Sequence, residues 1–82
     1  MESERETTRR AHALTLWAAA RERAVDELAS RAARLSREGW KDEAAGIRAV
    51  ARLLRVQAIR ERAQAAACWA DEVIQACTPS AS

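Results

Sequence analysis

The stretch Glu38-Gly39-Trp40 decides the fold, because it is the break between two long segments that favour helix. The segment before it contains neither glycine nor proline, and the segment after it, up to Thr78, contains only Gly46. Gly39 suits the left-handed conformation that ends a helix, and Trp40 follows where a hydrophobic residue often folds back on the last turn. The sequence therefore predicts two long helices joined by this turn.

The limits of the two helices follow from capping and breaking residues. Helix one is predicted over about residues 4–37, since Ser3 and Glu6 fit the capping box that satisfies backbone donors in a first turn. Helix two is predicted over about residues 41–78, because Pro79 disfavours helix at the residue before it. Helices of matched length on so short a turn favour antiparallel packing.

We expect residues 1–82 to form one all-α domain, two long antiparallel helices in a helical hairpin with its turn at residues 38–40 and a frayed tail at residues 79–82. A chain of this size buries only roughly 60–65% of the surface of its unfolded state. Its 21 alanines favour helix but bury little area. The core of a lone hairpin is therefore marginal, and we expect self-association or a partner.

Net charge, the length of apolar runs and the cysteines limit the classes of protein to which this chain could belong. The formal net charge of +2 is too small to imply nucleic acid by itself. We expect no signal peptide and no membrane span, since no apolar run approaches the roughly 20 residues that a span needs. Cys68 and Cys77 fall on opposite faces of helix two, so they cannot bridge within it. A reduced protein of the cytoplasm is predicted.

In each predicted helix, apolar residues recur at spacings of three and four and form a stripe that should face the other helix. The stripes consist of Ala11, Leu14, Ala18, Val25, Leu28, Ala32 and Leu35 in helix one, and of Ile47, Val50, Ala51, Leu54, Ala58, Ala65 and Cys68 in helix two. Arg21 interrupts the first stripe, and Glu61 and Glu72 interrupt the second. Folding at the turn sets Arg21 near Glu61 and Arg10 near Glu72, so opposite charges meet.

The pair of Arg21 and Glu61 has two interpretations. A charge on an apolar seam is unfavourable unless it is paired, and buried ion pairs are best known for fixing register. We therefore predict a structural ion pair, and a polar functional site is the alternative.

Both helices carry more apolar surface than one neighbouring helix can cover, and these extra faces fall at the open end of the hairpin. The predicted interface residues are Leu16, Trp17, Ala20, Val56, Ile59, Ala63, Ala66, Trp69, Ala70 and Val73. Apolar surface of this extent typically marks an interface. We expect a homodimer that forms a four-helix bundle. One alternative is a different protein anchored on Trp17 and Trp69, and another is that both tryptophans cap the hairpin core.

A basic stripe on helix two is predicted to be a charged target-binding surface. It consists of Arg48, Arg52, Arg55 and Arg62. Arginine is well shaped for phosphate, so contact with nucleic acid is one interpretation. Contact with an acidic protein surface is a second, and a solvated helix face is a third. Glu38, Asp42 and Glu43 lie in the same region, and Trp40 is the only aromatic residue there for base stacking, which weighs against nucleic acid.

The sequence offers little for catalysis, with one histidine, two separated cysteines, no tyrosine and no glycine-rich phosphate loop. His12 could fall across the hairpin from Cys68, but two ligands do not make a zinc site. We predict no enzyme activity, no metal and no cofactor. The expected function is a small protein-interaction or regulatory module, such as a phage- or plasmid-type inhibitor or adaptor that binds a larger host complex. A nucleic-acid-associated protein is the alternative.

Overall fold

The chain folds into two helices that pack against each other. The structure, a computed structural model, describes the backbone of residues 2–77 and the side chains of residues 5–77. Within that part of the chain, helix α1 spans Glu2–Arg37 and helix α2 spans Lys41–Cys77. The two pack along their lengths as a helical hairpin. The prediction of an all-α hairpin is confirmed.

The helix ends agree with the prediction where they can be compared. Helix α1 begins at Glu2, two residues before the predicted start, and helix α2 continues to Cys77, the last described residue. The predicted capping interaction of Ser3 lies outside the described side chains. The predicted tail at residues 79–82 lies outside the described residues.

A Schellman motif closes α1 at the turn. The Trp40 amide donates a hydrogen bond to the Leu35 carbonyl over 2.9 Å, and the Gly39 amide donates one to the Ser36 carbonyl over 3.1 Å. This pair of bonds satisfies carbonyls that the helix end leaves without partners. Gly39 has a φ of 95°, which confirms it as the left-handed residue. The Trp40 side chain stays 55% exposed, so the predicted packing over the last turn is at most partial.

Replacing Gly39 with alanine should destabilise the hairpin. A left-handed conformation costs a residue with a Cβ atom roughly 1–2 kcal/mol, so we expect the free energy of unfolding to fall by about that amount. Gly46→Ala is the matched control, because Gly46 lies inside α2 with open space around its Cα atom and alanine should raise stability by roughly 0.5–1 kcal/mol. Urea titrations of both variants would measure the two changes in the free energy of unfolding. Equal changes of the same sign would contradict the prediction.

The core is a seam built mostly of alanine. The buried residues among the described side chains are Ala11, Leu14, Ala18, Val25, Ala32, Ala44, Ala51, Ala58 and Ala65. In α2 they recur every seven residues, the repeat of a coiled coil. We call this row, on both helices, the core seam. Alanine lets the two helices approach closely but removes little apolar area from water, so the hairpin core is thin.

The structure corrects the predicted stripe of helix two at one position. Val50 was placed in the stripe but is 49% exposed. Ala44, which was not placed in the stripe, is fully buried. The seven-residue repeat explains both results, because buried Ala51 follows Ala44 by seven residues, whereas neighbours such as Val50 and Ala51 point about 100° apart.

Candidate interaction surfaces

The largest apolar side chains of the hairpin lie outside its core. All ten predicted interface residues are exposed, among them Leu16 at 56%, Ile59 at 61% and Val73 at 60%. Leu53 and Ile74 are also exposed, at 68% and 61%, and sequence reasoning did not select them. Leu53 fits neither apolar stripe, whereas Ile74 directly follows Val73 and could have been found as the edge of that face.

The extra face of α2 forms a second regular row. Its members are Val56, Ile59, Ala63, Ala66, Ala70 and Val73, and we call it the outer seam. Their spacings alternate between three and four, so this row has the same seven-residue repeat as the core seam. The two seams are about 150° apart around the helix. Helix α2 is therefore apolar on two nearly opposite sides, and α1 covers only one of them.

The extra apolar residues of α1 lie on a different side of the hairpin from the outer seam. Trp17, Ala20, Arg21, Ala24 and Leu54 line a groove of about 270 Å³, which we call the Trp17 groove. Five residues separate Trp17 from Glu22, so they point about 140° apart on α1, on either flank of the core seam.

One ion pair between the helices shows which flank of α2 lies opposite the Trp17 groove. Glu22 pairs with Arg62 across the hairpin, so Arg62 lies on the flank opposite the Trp17 groove. Trp69 follows Arg62 by seven residues and shares its flank. The two tryptophans therefore lie on opposite flanks, and they do not form a single cap over the core.

The Arg21 and Glu61 side chains meet as the register predicted. Arg21 Nε lies 2.7 Å from Glu61 Oε1, with 37% of the Arg21 side chain and 12% of the Glu61 side chain exposed. Arg21 also lines the Trp17 groove, so this pair puts a charge beside an otherwise apolar surface.

The second predicted charge pair is not found. Glu72 accepts a hydrogen bond from Thr8 Oγ1 over 3.0 Å, and Arg10 is exposed without a contact to it. Thr8 and Arg10 point about 160° apart on α1, so one Glu72 side chain meets only one of them. The prediction that Arg10 pairs with Glu72 is wrong.

Arg62 was predicted to bind a target, but in the hairpin it is engaged by Glu22. Its Nε and Nη2 atoms donate to the two Glu22 carboxylate oxygens over 2.7 and 2.6 Å. These hydrogen bonds lower the pKa of Glu22 from its usual 4.5; desolvation raises it, and the positive charge of Arg62 lowers it further. The same contact raises the pKa of Arg62. The pair could have been predicted from the register of Arg21 and Glu61, because that register leaves Glu22 and Arg62 only about 3 Å apart along the axis of the antiparallel helices.

The contribution of the Glu22 and Arg62 pair should depend on pH. Because the folded state lowers the pKa of Glu22, the stabilisation is complete above 4.5, the usual value, and disappears as pH falls through the lowered pKa. Wild type should therefore exceed Glu22→Gln in melting temperature at pH 7, and the difference should vanish once the pH falls below the lowered pKa of Glu22. A difference that is constant with pH would contradict this assignment, and Glu27→Gln, at an exposed carboxylate of α1, is the control.

The rest of the basic stripe surrounds a shallow groove. Arg48, Arg52 and Arg55 line it together with Ala29 and Ala51, and its volume is about 290 Å³. We call it the Arg groove. No hydrogen bond or ion pair engages these three arginines within the described part of the chain. The positive charges of these three arginines are therefore available to an anionic group, whereas Arg62 is already paired with Glu22.

The histidine and the cysteine nearest to the core have different surroundings. Cys68 packs against the cluster of Ala11, Leu14 and Ala65, whereas His12 is exposed. Cys68 and Cys77 are both free thiols. Among residues 5–77, no three side chains of the metal-binding types come together.

Comparisons with protein-family models, with curated proteins and with solved structures find no match to this chain. Over residues 2–77, neither helix combines the length and the apolar character needed to cross a lipid bilayer.

Proposed function

We propose that this chain is a small non-catalytic protein-interaction module that forms a homodimer of four helices and acts as an inhibitor or adaptor of a larger protein complex. The observation that carries the proposal is the exposed outer seam of α2, which repeats like a coiled-coil interface but has no helix against it. Soluble proteins seldom leave such a row uncovered.

The distribution of apolar side chains supports self-association. The core seam is mostly alanine, while Ile59, Val56 and Val73 are 61%, 44% and 60% exposed. Each fully buried Val or Ile side chain contributes roughly 1.5–3 kcal/mol relative to its exposed state. Covering the outer seam would thus add apolar burial that the hairpin core lacks, and the marginal stability expected for so small a core favours that outcome.

Light scattering after size exclusion, at two protein concentrations and at low and high salt, tests the homodimer. We expect twice the chain mass of 9.1 kDa, with little dependence on salt. Ile59→Glu should return the single mass with unchanged helicity. Gln64→Glu is the matched control, because Gln64 is also exposed on α2 but lies off the outer seam. A single mass for wild type, or a dimer that survives Ile59→Glu, would contradict the proposal.

Two further surfaces remain for the partner complex. The Trp17 groove offers apolar side chains beside a charge, the composition of many binding hot spots, and the Arg groove offers three unengaged arginines. We expect a partner captured from host lysate by wild type to be lost with Trp17→Ala while the dimer mass stays the same. Equal capture by both proteins would count against the groove as the binding site.

The Arg groove also favours a second candidate function, binding of nucleic acid through phosphates. Arg48, Arg52 and Arg55 could each meet a phosphate, and the binding constant would then fall steeply with salt concentration. Affinity for a DNA or RNA duplex that is unchanged between 50 and 200 mM salt, or unchanged on replacing the three arginines with glutamine, would exclude this function.

A further inference from the structure

The outer seam has a pattern of side-chain sizes that suits a second copy of itself. From Val56 to Val73 the seam has β-branched residues at both ends and alanines in its middle. If two such helices lie antiparallel with Ala63 of each opposite Ala66 of the other, Val56 faces Val73. Ile59 then faces Ala70, so a large side chain meets a small one. A twofold interface requires this kind of self-complementarity.

Charge distinguishes an antiparallel from a parallel pair. Residues 48–62 of α2 contain five arginines and one glutamate, whereas residues 63–77 contain two acidic residues and no basic one. An antiparallel pair places the basic half of each helix beside the acidic half of the other. A parallel pair would place the two basic halves side by side, which is unfavourable.

Specific flanking residues agree with the antiparallel register. Arg60 would lie about 3 Å along the axis from Asp71 of the second copy, on the same side of the seam. Both side chains are exposed and form no ion pair in the described hairpin. On the other side, Arg62 would lie at a similar distance along the axis from Trp69 of the second copy, within reach of a cation–π contact. By symmetry each contact occurs twice.

We propose that α2 packs antiparallel against α2 of a second copy through the outer seam, with Ala63 of each opposite Ala66 of the other. This proposal rests on the proposed self-association and specifies its geometry. Because the two seams lie on separate sides of α2, the two α2 helices lie in the centre and each α1 packs outside them. The Trp17 groove stays uncovered on both copies in this arrangement and is free for a different partner.

Disulfide trapping tests the register. In a background with Cys68→Ala and Cys77→Ala, an equal mixture of Ala63→Cys chains and Ala66→Cys chains should form a covalent dimer under mild oxidation, because the two positions lie opposite each other and bring the thiols within bonding distance. Ala63→Cys alone and Ala66→Cys alone should not, since like positions are offset along the axis by about 4.5 Å. Efficient trapping of both single variants would indicate a parallel pair and overturn the proposal.

A charge exchange provides a second test in which folding is not at issue, because both positions are exposed. Arg60→Asp should weaken the dimer about tenfold, since two favourable contacts become repulsive, and adding Asp71→Arg in the same chain should restore it. Arg23→Asp, the same charge change at an exposed position of α1, should have little effect.

The outcomes separate this geometry from self-association itself. A dimer that responds equally to the Arg60 and Arg23 substitutions, or that Asp71→Arg does not restore, would overturn the antiparallel pair but leave the homodimer standing. A wild-type chain that keeps its single mass would contradict both.

Discussion

Leu14→Ala should unfold a large fraction of the hairpin, or lower its free energy of unfolding by about 2–4 kcal/mol. Leu14 is 5% exposed and packs in a cluster with Ala11, Ala65 and Cys68. The neighbouring side chains are small, so they cannot collapse into the space that the leucine leaves. Total stabilities of small domains are only about 5–15 kcal/mol, and the alanine-rich core places this chain toward the lower end.

Leu16→Ala is the control for this prediction. It makes the same chemical change two residues away, but Leu16 is 56% exposed in the hairpin, so we expect a change of under about 0.5 kcal/mol. Urea unfolding followed by circular dichroism, at one fixed protein concentration, measures both variants. Equal losses at the two positions would mean that Leu16 is covered in solution and that the burial described for the hairpin does not determine stability.

The turn and the facing stripes could be predicted because their signals are local. Gly39 has few rivals as a helix end in this sequence, and the spacing of three and four marks the stripe directly. The error at Val50 has a physical origin. Apolar residues surround much of α2, so the stripe could be drawn through Val50 or through Ala44, and only the packing of α1 selects between them.

The surfaces were harder to predict because they depend on both helices at once. Each helix showed an extra apolar face, but the side of the hairpin on which it lies depends on how the core seam orients the two helices. In the same way, Arg62 belonged to a basic stripe in the sequence. Only the pairing of helices showed that Glu22 neutralises it, whereas Arg48 and its neighbours remain unengaged.

The alanine-rich core affects both the stability of the hairpin and the surface that it exposes to other chains. A seam of alanines brings the helices close and displaces bulky residues such as Ile59 and Trp17 to the outside. The side chains that could have strengthened the core are therefore those that can bind other chains. If the proposed dimer forms, covering these outer surfaces would add apolar burial that the hairpin core lacks.

Arg21→Leu should lower the free energy of unfolding by about 1–3 kcal/mol, because it leaves the carboxylate of Glu61 unpaired while only 12% of that side chain is exposed. Replacing both residues of the ion pair with leucine should behave differently, because both lie in the rows that face the other helix. Residue 21 follows Leu14 by seven, and residue 61 follows Leu54 by seven, so leucine at both positions would continue the apolar rows. We expect Arg21→Leu with Glu61→Leu to be at least as stable as wild type.

The double variant should instead lose specificity. The turn already restricts register within one hairpin, so a register device matters most against wrong pairing between separate chains. With the ion pair gone, the Trp17 groove becomes wholly apolar, and we expect assemblies larger than the wild-type species by light scattering. Arg23→Leu, at an exposed arginine without an ion pair, controls for the lost charge and should change neither stability nor mass appreciably. If the double variant unfolds more readily than Arg21→Leu, the ion pair stabilises the fold itself, and the register role is wrong.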